Sequence, residues 1–190
     1  MNLRKIASKR STKFLILLIA SLLISAASAE IYFSMFAQSA VTITGAPVVF
    51  VLGSDAPAGS TLGSNGTWVS LALAAYPNVT LTYGDPLNIS NTDASNSHQF
   101  RLRPVSITPS SGASVGNFTS INFNVENATG ASQANVTYTV SSNTWNTPSA
   151  TGYLTIPPST QWIISVSTEA VAGASSGNTE NIQISVDVIQ

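Results

Sequence analysis

The sequence holds a single imidazole, His98, and no cysteine. His98 stands in N-T-D-A-S-N-S-H-Q-F, a polar turn that runs into an alternating segment. A Ser-His-Asp arrangement would have to be built on it, since that chemistry needs an imidazole beside the attacking hydroxyl and a carboxylate to orient the ring. The G-x-S-x-G elbow that presents such a serine is missing, and a solvated loop histidine is the plainer reading. Asp85, Asn91 and Asp93 offer hard oxygen ligands of the kind calcium takes, but their spacing fits no D-x-[DN]-x-[DN]-G loop. The eight acids are scattered, so nothing indicates the facing carboxylate pair of a glycosidase. Of the three tryptophans, Trp68 and Trp162 sit within strand patterns and are expected in the core. Trp145, in S-S-N-T-W-N-T-P, is expected to be exposed as a possible sugar platform. No catalytic residue, metal or cofactor is expected, and the chain does not read as an enzyme.

The elements around these residues begin with an address. Arg4, Lys5, Lys9, Arg10 and Lys13 precede the apolar run F-L-I-L-L-I-A-S-L-L-I, and Ala27-Ser28-Ala29 follow it. A basic head, an apolar core and small residues are the three parts of a secretory signal, with cleavage expected between Ala29 and Glu30. The run of eleven residues falls short of the ~20 that a spanning helix needs, so membrane contact is expected only during export. The domains expected are a signal over 1–29, an N-terminal strand over 30–44 and one domain over 45–190.

With the signal removed, five of the seven basic residues are gone, and only Arg101 and Arg103 face eight acids. A phosphate backbone needs a basic stripe, so nucleic acid is excluded as a partner. Ser, Thr and Asn supply the polarity that charge does not. Six asparagines lie in N-x-[ST] sequons: Asn65, Asn78, Asn88, Asn117, Asn127 and Asn135. In an exported chain N-glycans at such sites would solubilise the surface. Without disulfides the domain must be held by packing and strand pairing, or by neighbours in an assembly.

No segment after the signal carries a helical period. Alternation recurs over Trp68–Ala75, Val79–Tyr83, Gln99–Val105 and Ser120–Val125, then at Val136, Tyr138 and Val140, at Trp162, Ile164 and Val166, and from Ile182 to Val188. The stretches between, Gly53–Gly66, Tyr83–Pro86, Thr108–Gly116, Asn127–Gln133 and Val171–Asn178, are rich in turn formers. Eight to ten short strands with polar connections predict an all-β, antiparallel sandwich of jelly-roll or immunoglobulin-like type.

The N-terminal segment is unusual. From Ile31 to Ile43 the odd positions Ile31, Phe33, Met35, Ala37, Ser39, Val41 and Ile43 form a nearly unbroken apolar face. Fourteen extended residues would reach roughly 46 Å. Such a strand either opens the core of its own domain or leaves to fill a groove in the next molecule, with Ile31, Phe33, Met35, Val41 and Ile43 as plugs. A head-to-tail contact of the second kind does not close on itself and builds a filament. The segment I-Y-F-S-M-F-A-Q-S-A-V-T-I-T directly after an export signal, the cysteine-free, sequon-bearing all-β body and the terminal I-Q-I-S-V-D-V-I-Q together resemble the archaeal bundling pilins, which are similar to the bacterial TasA biofilm-fibre family. Archaeal thread subunits share these features. The resemblance implies a jelly-roll subunit whose N-terminal strand completes the next copy in an extracellular filament for adhesion, bundling and biofilm. Its partners would be itself and its N-glycans. The C-terminal strand Asn181–Gln190 is the expected groove wall. Two alternatives stand beside it: a type IV pilin that keeps Phe14–Ile24 as a helix, and a secreted sugar-binding module acting through Trp145.

Overall fold

The structure, a computed structural model, describes residues 13–17, 45–109, 117–174 and 179–189. Residues 13–17 are helical, and among the described residues no helix is long and apolar enough to cross a membrane. The unit from Thr44 to Gln190 is built from strands. These are β1 (Val48–Leu52), β2 (Thr61–Leu62), β3 (Trp68–Ala74), β4 (Leu81–Asn91), β5 (His98–Pro109), β6 (Phe118–Glu126), β7 (Ser132–Ser141), β8 (Thr144–Asn146), β9 (Leu154–Ile156), β10 (Gln161–Ala170) and β11 (Thr179–Ile189). One sheet has the order β1-β4-β10-β6-β7-β8 and the other β2-β3-β11-β5-β9, with antiparallel pairing throughout both. The expected all-β sandwich is what forms.

Alternation decides which side chains go inside, because successive residues of a strand point to opposite faces. Val69, Leu71 and Leu73 of β3, Phe100 and Leu102 of β5, and Ile182, Ile184 and Val186 of β11 line the inner face of the five-stranded sheet. They meet Leu87 and Ile89 of β4, Ile121, Phe123 and Val125 of β6, and Trp162, Ile164 and Val166 of β10. Phe100 packs edge-on to Trp162 at 5.7 Å, and Thr168 of β10 donates a hydrogen bond to the Ala74 carbonyl of β3 at 2.7 Å. These contacts align the two sheets. β1 touches both β2 and β11, and the end of β4 at Asn91 reaches the end of β9.

Several boundaries differ from the expected ones. Tyr83–Pro86 lies inside β4 instead of forming a connection: Ile164 pairs with Leu87 and Val166 with Tyr83, so the intervening Gly84, Asp85 and Pro86 form a bulge. A bulge accommodates glycine and proline where a regular ladder does not. The groove wall expected at Asn181–Gln190 is not an open edge, since β11 pairs with β3 on one side and β5 on the other.

Two buried polar side chains are treated in opposite ways. Asn91, 2% exposed, donates from its one amide nitrogen toward the carbonyls of Asn96, Ile156 and Pro157, and its Oδ1 accepts from the Asp93 N–H. It ties the end of β4 to β9 and to the loop before β5. Replacing Asn91 by Leu strands those carbonyls, and denaturant unfolding is expected to show a loss of about 2–3 kcal/mol.

Glu180 is fully buried, opposite Leu73 and Pro109, and neither carboxylate oxygen has a hydrogen-bond partner among the described residues. Burial pushes its pKa up to about 7 from 4.5. The folded state therefore favours the neutral acid, so the ionisation-linked cost is absent below pH 4.5 and grows progressively as pH rises toward 7. Glu180→Gln is expected to raise the melting temperature at pH 8 and to leave it nearly unchanged at pH 4. The difference corresponds to roughly 3 kcal/mol, and melting curves of both proteins across this range measure it.

Candidate functional site

The loop that carries His98 is built around Asp93. Its Oδ1 accepts the N–H groups of Ser95 at 2.8 Å and Asn96 at 3.1 Å, while Oδ2 lies 2.9 Å from His98 Nε2 and 3.1 Å from the Asn96 amide nitrogen. The Ser95 N–H, followed by His98 and Asn96, holds the Asp93 carboxyl well below the usual carboxylate range. Among the described residues no serine or threonine hydroxyl bonds to His98, and its ring closes the turn through Asp93. Asp85 is spent elsewhere. It receives the Ser54 N–H and hydroxyl at 3.0 and 2.8 Å and the Asn88 amide at 2.7 Å, and the Ser54 N–H above all lowers its pKa. The oxygens of Asp85 thus serve one turn and those of Asn91 and Asp93 another, and among the described residues no three acids or imidazoles gather for a metal.

The tryptophans exchange roles relative to the expectation. Trp145 is half-buried, tilted on Phe118 at 6.1 Å, and its Nε1 is buried without a partner among the described residues. Ser142 and Asn143 both have positive φ, 50° and 58°, the backbone of a two-residue I′ hairpin. That turn folds β8 back on β7 and sets Trp145 opposite Val140. Trp68 is 37% exposed, because it precedes the buried Val69 and so faces outward. Trp162, at 6%, is a core residue as expected.

The sequons divide by exposure. Asn65, Asn78 and Asn135 are exposed, and Asn117 and Asn127 are half-buried. Asn65 and Asn127 each accept the hydroxyl of their own sequon threonine, Thr67 and Thr129, at 2.7 Å on Oδ1. Asn135 borders a polar furrow of about 440 Å³ on the outer face of the six-stranded sheet, shared with Thr82, Asn122, Asn124, Ser165 and Ser167. Asn88 is different: at 5% exposed, with its Nδ2 donating to Asp85, it is covered in the folded domain. The donor-strand residues Ile31, Phe33, Met35, Val41 and Ile43, and the cleavage site at Ala29 and Glu30, lie outside the described residues.

One edge of each sheet is incompletely covered. β9 pairs with β5 only over His98–Phe100, and Thr151 extends the contact to Leu102 through two backbone-directed hydrogen bonds. β8 pairs with β7 only over Thr139–Ser141. Among the described residues the remaining outer edges of β5, from Arg103, and of β7, up to Tyr138, have no strand partner. The Tyr138 hydroxyl is buried on this strand without a partner among them, and burial raises its pKa above the ordinary range. Trp145→Ala is expected to destabilise the domain by about 2–3 kcal/mol and Trp68→Ala by less than about 1 kcal/mol, as read by denaturant unfolding.

No protein-family model matches this chain, and no curated protein matches it. Among solved structures it is similar to the enzymatically active domain of tailspike protein 4 of bacteriophage CBA120, at 14% identity and a TM-score of 0.32. That similarity covers 75% of this chain and 19% of the tailspike chain, so the protein spans a minor part of the length it is compared with.

Proposed function

We propose that the protein is the subunit of an extracellular filament, assembled when the segment from Ile31 to Thr44 of one copy pairs with the domain of the next. The observation that carries this reading is the unpaired outer edge of β7. β7 from Ser132 to Tyr138 contains no proline and has no strand partner on its outer edge among the described residues. β5 likewise has no strand partner on its outer edge from Arg103 among the described residues, and its Val105 is 44% exposed. An unpaired edge next to apolar side chains is a template for another strand. The sequence supplies a strand of the right character in Ile31, Phe33, Met35, Val41 and Ile43. Each large plug would contribute roughly 1.5–3 kcal/mol before the ordering costs.

The same reading accounts for the surface. A filament subunit needs no catalytic constellation, and His98, Asp85 and Asp93 are engaged in turns. Glycans on Asn65, Asn78, Asn117, Asn127 and Asn135 would coat it, with Asn88 left bare by its burial. N-terminal peptide mass spectrometry and negative-stain microscopy of protein sheared from native cells test the proposal. A chain beginning at Glu30 and found in filaments is expected, and deleting residues 31–44 should leave folded subunits that do not polymerise. A native chain beginning upstream of Phe14, or filaments that survive the deletion, would sink it.

A further inference from the structure

The outer face of the five-stranded sheet gathers a set of residues that neither turns nor core require. Trp68 of β3 is the Cα partner of Ser185 of β11, which is in turn the partner of Arg103 of β5. In the next row Asp187 of β11 pairs with Arg101 of β5, whose guanidinium lies 5.1 Å from the ring centroid of Tyr153, just before β9. Their strand neighbours Val69, Phe100, Leu102, Ile184 and Val186 are buried, so these rows face outward. Arg101 and Arg103 are the only basic residues after Lys13 apart from His98, and both sit here.

We propose that this face binds an acidic saccharide, a chain of sugar rings bearing carboxylates. Asp187 Oδ2 receives the Arg101 Nε and Nη2 donors at 3.1 and 3.0 Å, and Oδ1 receives Arg103 Nη2 at 3.2 Å. Two guanidiniums on one carboxylate leave a net positive charge. The other described acids Asp55, Asp85, Asp93, Glu126 and Glu169 are bonded in turns or lie on the other sheet, and Glu180 is internal. Arg103 is 56% exposed and among the described residues uses one nitrogen, on Asp187, which leaves the rest of its planar fork for a ligand carboxylate.

The two aromatic rings at either end supply the second half of sugar recognition. Trp68 is 37% and Tyr153 47% exposed, and exposed ring faces stack on the C–H faces of pyranose rings. The Trp68 indole is backed by Gly63, where a Cβ would overlap the ring, so its orientation is fixed by backbone. From Trp68 to Tyr153 the patch crosses three inter-strand gaps of about 4.8 Å with a two-residue offset, roughly 16 Å in all, the reach of a short oligosaccharide. This surface does not depend on the filament reading, since it uses outward side chains of β3, β5 and β11 and neither an unpaired backbone edge nor the N-terminal segment.

Isothermal titration of the native protein with trigalacturonic acid, and with maltotriose as its neutral counterpart, tests the assignment. The uronate is expected to bind at least tenfold more tightly than maltotriose and to weaken as salt is raised. Arg103→Gln and Tyr153→Ala, both at exposed positions, should each weaken it at least tenfold with an unchanged melting temperature. Trp68→Phe should retain most of the binding. No binding of trigalacturonic acid, equal binding of maltotriose, or full binding by Arg103→Gln overturns the proposal. So does an Arg103→Gln variant that loses self-association while binding uronate as before, which would assign the face to a second copy of the chain.

Discussion

Everything in the sandwich depends on the two strands at the middle of its sheets, β10 and β11, and on the apolar side chains they bury in the shared core. β11 is drawn from the last described residues, yet it lies between β3 and β5, more than a hundred residues earlier at its farthest pairing. Neither sheet can be completed by local hairpins alone. With no disulfide to shorten the search, the fold rests on non-local backbone pairing that must form together with the core, an arrangement associated with slow, cooperative folding.

That constraint explains how polarity is distributed. The faces turned outward hold Asn, Ser and Thr side chains that satisfy one another, as Thr137 does by donating to Asn122 and Ser165 by donating to Glu126. Charge is kept for a few places. Asp93 and Asp85 each organise a turn by collecting N–H donors, and Asp187 gathers both arginines. Glu180 is the exception, a carboxyl on the inner face of the very strand that centres its sheet.

The fold class was legible because period-two alternation survives in the long strands. Val69, Leu71 and Leu73, or Ile182, Ile184 and Val186, announce their buried face without any tertiary information. Short elements were not legible: β8 and β9 have three residues each, too few to show a period, and β2 has two. The Ser142-Asn143 turn hid because neither residue is glycine, although both take positive φ, and missing it misplaced Trp145. Trp68 was misread for a different reason. It begins a strand whose inward positions are the odd ones, and a large aromatic at the edge of an alternating run reads as core by its size. The three carbonyls held by Asn91 come from the loop before β5 and the end of β9, and no local pattern reports such a convergence. Likewise the Arg101–Asp187 pair joins residues whose proximity depends on β5 and β11 being neighbours.

The placement of the two arginines also bears on proteolysis. Beyond Lys13 there is no lysine, so a trypsin-like protease has two bonds to attack, after Arg101 and after Arg103. The second is followed by Pro104, which such enzymes cleave poorly, and the first leads into the buried Leu102. Both bonds lie in β5, paired along β11, and a protease must draw several residues out of the sheet to reach them. The domain therefore offers such enzymes almost nothing unless it unfolds.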